Sequence, residues 1–184
     1  MRVIRSEQEF TGAASVVALG MFDGVHIGHQ ALIRAAVRAS RRFAAECVVC
    51  TFDRHPMAVL SPDRAPEALL PLEDNLRKFE QLGADWALVQ SFTPEYGATA
   101  PEDFLASLVE TLRVRAIVAG ENYTFGARGR GDAAMLRALG PELGYRPIIV
   151  PPVMDGDVIC SSTHIRALLA SGQTARAKAL LDIK

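Results

Sequence analysis

Short apolar runs of strand length alternate with longer amphipathic stretches along most of the chain. The apolar runs cover residues 15–22, 46–52, 85–92, 115–120 and 145–152. Continuous apolar runs of this length are typical of strands that are buried on both faces of a parallel sheet. The pattern therefore predicts five buried parallel strands.

The amphipathic stretches between these runs predict helices. The first one carries an apolar stripe, while four arginines fall mainly on its other faces. The stripe consists of Leu32, Ile33, Ala36, Val37, Ser40, Phe43 and Ala44. Further helices are predicted over 72–82, 101–112, 132–143, 163–171 and 173–182. This order predicts an α/β fold with a doubly wound, Rossmann-like parallel sheet and right-handed crossovers, whose ligands bind beyond the carboxyl ends of the strands.

Composition narrows the class of protein. With 184 residues, the chain is expected to form one domain. Its 20 Lys and Arg balance 21 Asp and Glu, so no long-range positive field collects nucleic acid or an anionic membrane. The N-terminus lacks the apolar core of a secretory signal, and no run approaches the roughly 18 apolar residues of a membrane span. We therefore expect a cytoplasmic protein, with neither nucleic acid nor membrane as a partner.

Cys47 and Cys50 form a C-x-x-C pair inside the second apolar run. In a strand, positions i and i+3 point to opposite faces, so the two thiols cannot share a metal ion unless the strand is broken. Buried, reduced cysteines are predicted here, and a metal or redox role is the alternative.

Two of the four histidines lie in GMFDGVHIGH, residues 20–29, where the first strand passes into the first helix. The glycines of this segment let the backbone turn sharply and let a ligand approach closely. They are Gly20, Gly24 and Gly28. Free amides and the positive end of the helix dipole favour an anion, most directly a phosphate, and His26 and His29 add two imidazole donors whose protonation the dipole disfavours. Alternatively, one histidine caps the helix and the other is solvated, or the two bind a metal ion.

A second segment, CSSTHIRALL at 160–169, has a similar character. It opens a helix with Ser161, Ser162 and Thr163, which are good capping residues, and Arg166 lies one turn beyond Ser162. Taken alone, this is an ordinary N-cap; paired with the first helix start, it predicts two groups that grip one polyphosphate.

Four motifs in order carry a resemblance to a known family. GMFDGVHIGH resembles the first signature of the H-x-G-H nucleotidyltransferases, and SSTHIR resembles their second, serine-rich signature. Together with TFDRHP (51–56) and AGENYTFGARGRGD (119–132), they make the chain similar to the FMN adenylyltransferase domain of the bacterial bifunctional riboflavin kinase/FMN adenylyltransferase family. The resemblance runs from about Ser15 to about Leu181. It implies a Rossmann-like sheet of the H-x-G-H type and transfer of AMP from ATP to FMN, giving FAD and pyrophosphate.

The resemblance also implies roles for individual residues. The catalytic residues that it implies are His26, His29 and Arg166. The ATP-binding residues are Gly20, Phe22, Asp23, Gly28, Ser162 and Thr163, and the substrate-binding residues are Asp53, Asn122, Tyr123 and Phe125. Asp53 and His55 orient Mg²⁺ or flavin, or else form a turn before Pro56. Phe52, Tyr123 and Phe125 are candidates to pack on the flavin ring, although core packing explains Phe52 equally well.

The chain departs from the family pattern in places. Met21 stands where a small or polar residue is common, Arg54 replaces a proline, and Asn122-Tyr123 replaces Asp-Phe. These changes affect the flavin contacts more than ATP binding. Family members usually continue into a β-barrel riboflavin kinase domain, whereas this chain stops at LLDIK, near the point where that domain would begin. We expect a single nucleotidyltransferase domain over 1–184, either stand-alone or excised, without kinase activity of its own; a riboflavin kinase domain or protein is an expected partner.

The expected small molecules are ATP with Mg²⁺, FMN as substrate and FAD as product. Mg²⁺ should lie on the polyphosphate with mostly water ligands, so no protein metal ligands are predicted. Two alternatives remain: an H-x-G-H nucleotidyltransferase with another acceptor, such as nicotinamide mononucleotide or phosphopantetheine, and a catalytically silent module that binds nucleotide or flavin.

Overall fold

The apolar runs form a parallel sheet in the computed structural model of the protein, which describes residues 1–183. The sheet strands are β1 (Arg2–Ile4), β2 (Ser15–Leu19), β3 (Glu46–Phe52), β4 (Trp86–Gln90), β5 (Val114–Gly120) and β6 (Arg146–Val150). Within the described residues their spatial order is β1-β4-β3-β2-β5-β6, and all pairs are parallel. The chain leaves β2 toward β3 on one side and reaches β5 on the other. The topological switch point, where open α/β sheets bind ligands, therefore lies between β2 and β5.

Helices cover both faces of this sheet, as the doubly wound prediction requires. They are α1 (Ile27–Phe43), α2 (Met57–Leu60), α3 (Leu72–Gln81), α4 (Pro94–Gly97), α5 (Pro101–Thr111), α6 (Ala133–Leu143), α7 (Ser162–Ala170) and α8 (Thr174–Leu181). Buried side chains of α1 and α3 pack on one face, and those of α5 and α6 pack on the other. A separate small cluster joins α7 to α8 at the carboxyl ends of the strands.

Side chains of β3, which contains the two cysteines, alternate between the two faces of the sheet. Cys47 packs with the α1 and α3 layer, whereas Cys50 packs with the α5 and α6 layer. Both are buried and free, and burial raises the pKa of Cys47 to about 12. The predicted opposite placement is confirmed, so the two thiols cannot share a ligand.

Several boundaries differ from the prediction. The first apolar run stops being a strand at Leu19, because the glycine-rich segment after it turns away. Strand β1 was not predicted, since it has three residues and only Ile4 is buried. Two short strands, β7 (Met154–Asp155) and β8 (Val158–Ile159), form a hairpin that was also missed. Phe43 and Ala44 of the predicted apolar stripe are exposed at the helix end.

No helix among residues 1–183 is both long enough and apolar enough to cross a membrane.

Candidate active site

Residues 20–29, called the histidine loop below, lead from the end of β2 into the first turn of α1 through an unusual backbone. Phe22, Gly24 and Val25 have φ values of 52°, 80° and 47°, in the left-handed region. A β-branched residue such as Val25 rarely adopts this conformation. The loop thereby reverses direction within a few residues and brings His26 to the N-cap of α1.

The two histidines lie side by side at the start of α1. The Nδ1 atom of His26 accepts a hydrogen bond from the backbone N–H of His29 at 3.4 Å. The rings stack with centroids 3.7 Å apart, and the His29 ring meets the Phe22 ring edge to face at 5.2 Å. His26 is therefore a helix cap, as the first alternative proposed, but His29 is buried and not solvated, and both imidazoles border one cavity.

Both imidazoles are neutral at physiological pH. Burial lowers the pKa of His26 to about 4. Burial, with the neighbouring His26 ring as a smaller cause, lowers the pKa of His29 well below its usual value. The predicted direction is confirmed, but the main cause is burial rather than the helix dipole. The buried Nδ1 atom of His29 has no hydrogen-bond partner among residues 1–183, and a bound ligand or water would satisfy it.

A cavity of about 320 Å³, called the histidine cavity, lies beyond the carboxyl ends of β2 and β5. Its lining includes His26, His29, Ser161 and Ser162. A Cβ atom on Gly28 would lie 3.1 Å from the His26 ring and 3.4 Å from the Cys160 carbonyl oxygen. Glycine at this position therefore keeps the start of α1 open toward the cavity.

Gly20 and Phe22 also border the histidine cavity, where their main role is to support its wall by packing. A Cβ atom on Gly20 would lie 2.9 Å from the Phe22 ring. The Phe22 side chain is fully buried and packs edge to face on Phe79 at 5.6 Å. Glycine at position 20 makes room for this ring, which in turn supports His29.

The second cavity, called the aromatic cavity, has a volume of about 440 Å³. Six of its lining residues are aromatic, and Arg128 is the one charged side chain that borders it within the described residues. The aromatic residues are Phe52, Phe92, Tyr96, Phe104, Tyr123 and Phe125. Tyr123 and Phe125 stack with centroids 5.8 Å apart, and burial raises the pKa of Tyr123. This cavity suits a flat, largely apolar ring system.

The two cavities meet at a shared wall. Met21, Asn122 and Tyr123 line both of them. Met21 follows β2, and Asn122 and Tyr123 follow β5, so the junction lies at the topological switch point. Two ligands bound in these cavities would therefore approach each other next to the Asn122 amide.

The structure places Asp23 and Arg166 beside the histidine cavity rather than in its lining. One carboxylate oxygen of the largely buried Asp23 accepts from the Arg166 guanidinium, and the other accepts from the backbone N–H of Leu69 at 2.9 Å. Arg166 Nε also donates to the Glu67 carbonyl oxygen at 2.8 Å. Here Arg166 fastens the histidine loop to the 65–71 segment, whereas the sequence predicted that it grips phosphate.

The serine-rich helix start is partly in the cavity. Ser161 is the N-cap of α7 and accepts from the backbone N–H of His164 at 3.1 Å. Ser162 donates to the Asp23 carbonyl oxygen at 3.1 Å. Thr163 is exposed and borders neither cavity within the described residues.

The TFDRHP segment adopts the turn that was its alternative interpretation. Asp53 accepts from the Ser91 hydroxyl at 2.9 Å and from the Phe92 N–H at 3.4 Å. The Nδ1 atom of His55 accepts from the backbone N–H of Met57 at 3.1 Å. Both line a third, smaller cavity of about 120 Å³ that also includes Asp23. Their predicted contact with substrate stays a prediction.

Sequence reasoning missed several residues of the site. Phe92, Tyr96 and Phe104 come from segments without a motif, and only their aromatic character pointed to them. Asn75, which accepts from the Gly24 N–H at 3.1 Å, lies on α3 and had no signal in the sequence. Among residues 1–183, no group of three or more His, Cys, Asp or Glu side chains could hold a metal ion.

The parallel sheet, the neutral histidines at a helix start and the two joined cavities define a nucleotide-binding α/β protein with room for a second, aromatic ligand. The FAD synthetase family model matches residues 9–164. The chain belongs to the FAD synthetase family, and the resemblance inferred from the four motifs is confirmed.

Individual proteins agree with this assignment. The bifunctional riboflavin kinase/FMN adenylyltransferase of Listeria monocytogenes is 36% identical over 174 residues, which are 94% of this chain and 55% of that protein. Its Escherichia coli counterpart is 32% identical over 98% of this chain and 59% of that protein. The chain thus spans somewhat more than half the length of these relatives. A Geobacillus thermodenitrificans protein is 36% identical, with 98% of this chain and 97% of that protein covered.

The fold is also found among solved structures. A crystal structure described as a macrolide-efflux protein from Streptococcus pneumoniae superposes with a TM-score of 0.86. The two are 32% identical in sequence, and the match covers 97% of this chain and 59% of the other. The predicted fold class is confirmed.

Proposed function

We propose that the chain is an FMN adenylyltransferase, which transfers AMP from ATP to FMN and releases FAD and pyrophosphate. The observation that carries the proposal is the junction of the histidine cavity and the aromatic cavity at Met21, Asn122 and Tyr123. A transferase with two substrates needs both reacting phosphates at one place, and this junction offers it.

The histidine cavity is the proposed ATP site. Its polar wall is formed by two neutral imidazoles and by the serine hydroxyls at the N-terminus of α7, which suit a polyphosphate. His26 and His29 act there as hydrogen-bond donors and not as cations, because the pKa of each is lowered. Met21, Pro151 and Ile159 supply an apolar wall for the base.

The aromatic cavity is the proposed FMN site. The isoalloxazine ring would lie against Tyr123 and Phe125, with Arg128 available for a polar or anionic group of the flavin. Asn122 at the shared wall would hold the FMN phosphate toward the nucleotide.

The reaction needs no protein nucleophile. An oxygen of the FMN phosphate attacks the α-phosphorus of ATP in line, and the bond from that phosphorus to the pyrophosphate oxygen breaks. The FMN phosphate is already ionised at neutral pH, so the protein contributes position and stabilisation of the growing negative charge. We assign this stabilisation to His26, His29 and the N-terminus of α1.

Mg²⁺ enters this proposal as part of the MgATP substrate, where it neutralises phosphate charge. Its coordination by phosphate oxygens and water fits a site that offers hydroxyl and imidazole groups and few carboxylates. We further propose that residues 1–184 form a single nucleotidyltransferase domain, that it works in the cytoplasm, and that a riboflavin kinase domain or protein supplies its FMN.

The direct experiment is pyrophosphate release by the purified chain with ATP, Mg²⁺ and one acceptor at a time. The acceptors are FMN, nicotinamide mononucleotide, phosphopantetheine and riboflavin. Pyrophosphate release with FMN, and with none of the other three acceptors, supports the proposal. Release with another acceptor instead would replace FMN, and tight binding of ATP and FMN without release would make the chain a silent binding module.

A further inference from the structure

Gln30 connects the histidine loop to the C-terminal segment that follows α8. Its Nε2 atom donates to the Val25 carbonyl oxygen at 3.0 Å and to the Asp182 carbonyl oxygen at 2.9 Å. Gln30 is fully buried. Both hydrogens of its amide group are therefore used, one on each segment.

Lys78 on α3 also connects the histidine loop to the C-terminal segment. In each segment it binds the carbonyl just before the one that Gln30 binds. Its Nζ atom donates to the Gly24 carbonyl oxygen at 3.3 Å and to the Leu181 carbonyl oxygen. The Leu181 side chain also packs close to Gly24, where a Cβ atom would lie 2.9 Å from it. Two consecutive carbonyls of the loop are thus linked to two consecutive carbonyls of the C-terminal segment.

These links act on the part of the loop that is most strained. Val25 is fully buried, with φ at 47°. Such a conformation persists only where the surrounding structure fixes it. The Val25 carbonyl belongs to the peptide group that enters His26, so the hydrogen bond from Gln30 orients the backbone of the N-cap histidine.

We propose that Gln30 and Lys78 are positioning residues, which use carbonyl groups of the C-terminal segment to hold His26 in its reactive orientation. Because each donor binds one carbonyl on either side, a displacement of residues 181–183 is transmitted to residues 24–26. The effect on catalysis rests on the proposed function, whereas the link between loop and C-terminal segment does not.

The link is tested without the reaction by amide hydrogen exchange. A variant lacking residues 182–184, and separately Lys78→Met, are compared with the intact chain by mass spectrometry. We expect exchange in peptides covering 22–29 to become at least about tenfold faster, because the deletion removes the Asp182 carbonyl that fixes Gln30 and Lys78→Met removes the bond to the Gly24 carbonyl. Exchange in peptides covering 122–131, on the opposite wall, should stay the same.

The effect on catalysis is tested by steady-state kinetics of FAD formation. Gln30→Met and Lys78→Met should each lower kcat about 10- to 100-fold, since small misplacements of groups at the reacting centre cost about this much. The KM for FMN should stay within twofold. Lys78→Arg keeps a donor and should restore most of kcat. The exposed residues Gln81 and Lys178 supply matched controls, Gln81→Met and Lys178→Met, which should behave as the intact chain.

Unchanged exchange at 22–29 in both the deletion and the Lys78→Met variants would overturn the link. Unchanged kcat in both methionine variants would overturn the positioning role. An intact chain that makes no FAD would instead contradict the proposed function, and the exchange experiment would still decide the link.

Discussion

Acidification should destabilise this protein through the histidine at the N-cap of α1. Burial lowers the pKa of His26 to about 4 in the folded chain, against 6.5 for the free side chain. The unfolded chain therefore binds the proton more tightly than the folded one. The stability contributed by the neutral ring is fully present above pH 6.5 and is lost as the pH falls toward 4.

The size of the effect follows from these two values. A difference of about 2.5 pKa units corresponds to about 3 kcal/mol in total, of which about 2 kcal/mol is lost by pH 5. The matched variant is His26→Asn, because asparagine can also cap a helix but does not titrate in this range. Titrating groups that do not contact His26 contribute equally to both chains, so the difference between the two chains reports His26 together with its smaller effect on His29.

The assay is urea unfolding at pH 7 and pH 5, followed by the fluorescence of the only tryptophan, Trp86, which is buried. We expect the free energy of unfolding of the intact chain to fall by about 2 kcal/mol more than that of His26→Asn between these pH values. Equal losses in the two chains would refute the conclusion that His26 is held neutral by burial.

Three further substitutions test other parts of the site. Gly28→Ala places a Cβ atom 3.1 Å from the His26 ring and should lower kcat/KM for ATP about tenfold, with the KM for FMN unchanged; equal effects on both substrates would contradict the assignment of the cavity. Tyr123→Leu should raise the KM for FMN about five- to tenfold in the same assay, because a stacking partner is lost, and an unchanged KM would exclude contact with the flavin. Arg166→Met leaves the Asp23 carboxylate without its cation and should lower the free energy of unfolding in urea by about 1–3 kcal/mol. Adding Asp23→Asn should recover part of that loss; no recovery would mean that the ion pair is not the cause.

The sheet could be predicted from the sequence because its central strands are buried on both faces. Burial on both sides leaves a continuous apolar run, which is visible without any tertiary information. The edge strand β1 and the hairpin β7–β8 lack this signal, since they are two or three residues long and mostly exposed. Their pairing comes from the rest of the fold.

The site residues that lie close together in the sequence could be predicted. His26, His29 and Gly28 lie within one turn of a helix start, so spacing alone brought them together. Asp23 and Arg166 are 143 residues apart, and a cation beside a serine-rich helix start suggests phosphate binding equally well. Only the fold shows that the two bind each other.

Catalytic transfer of AMP at the cavity junction is tested most directly by labelled ATP. The intact chain is incubated with FMN, Mg²⁺ and ATP that carries ³²P at the α-phosphate, and the flavins are separated by chromatography. We expect the label to appear in FAD in an amount equal to the pyrophosphate released. Folded protein that binds both substrates but leaves the flavin unlabelled would contradict it.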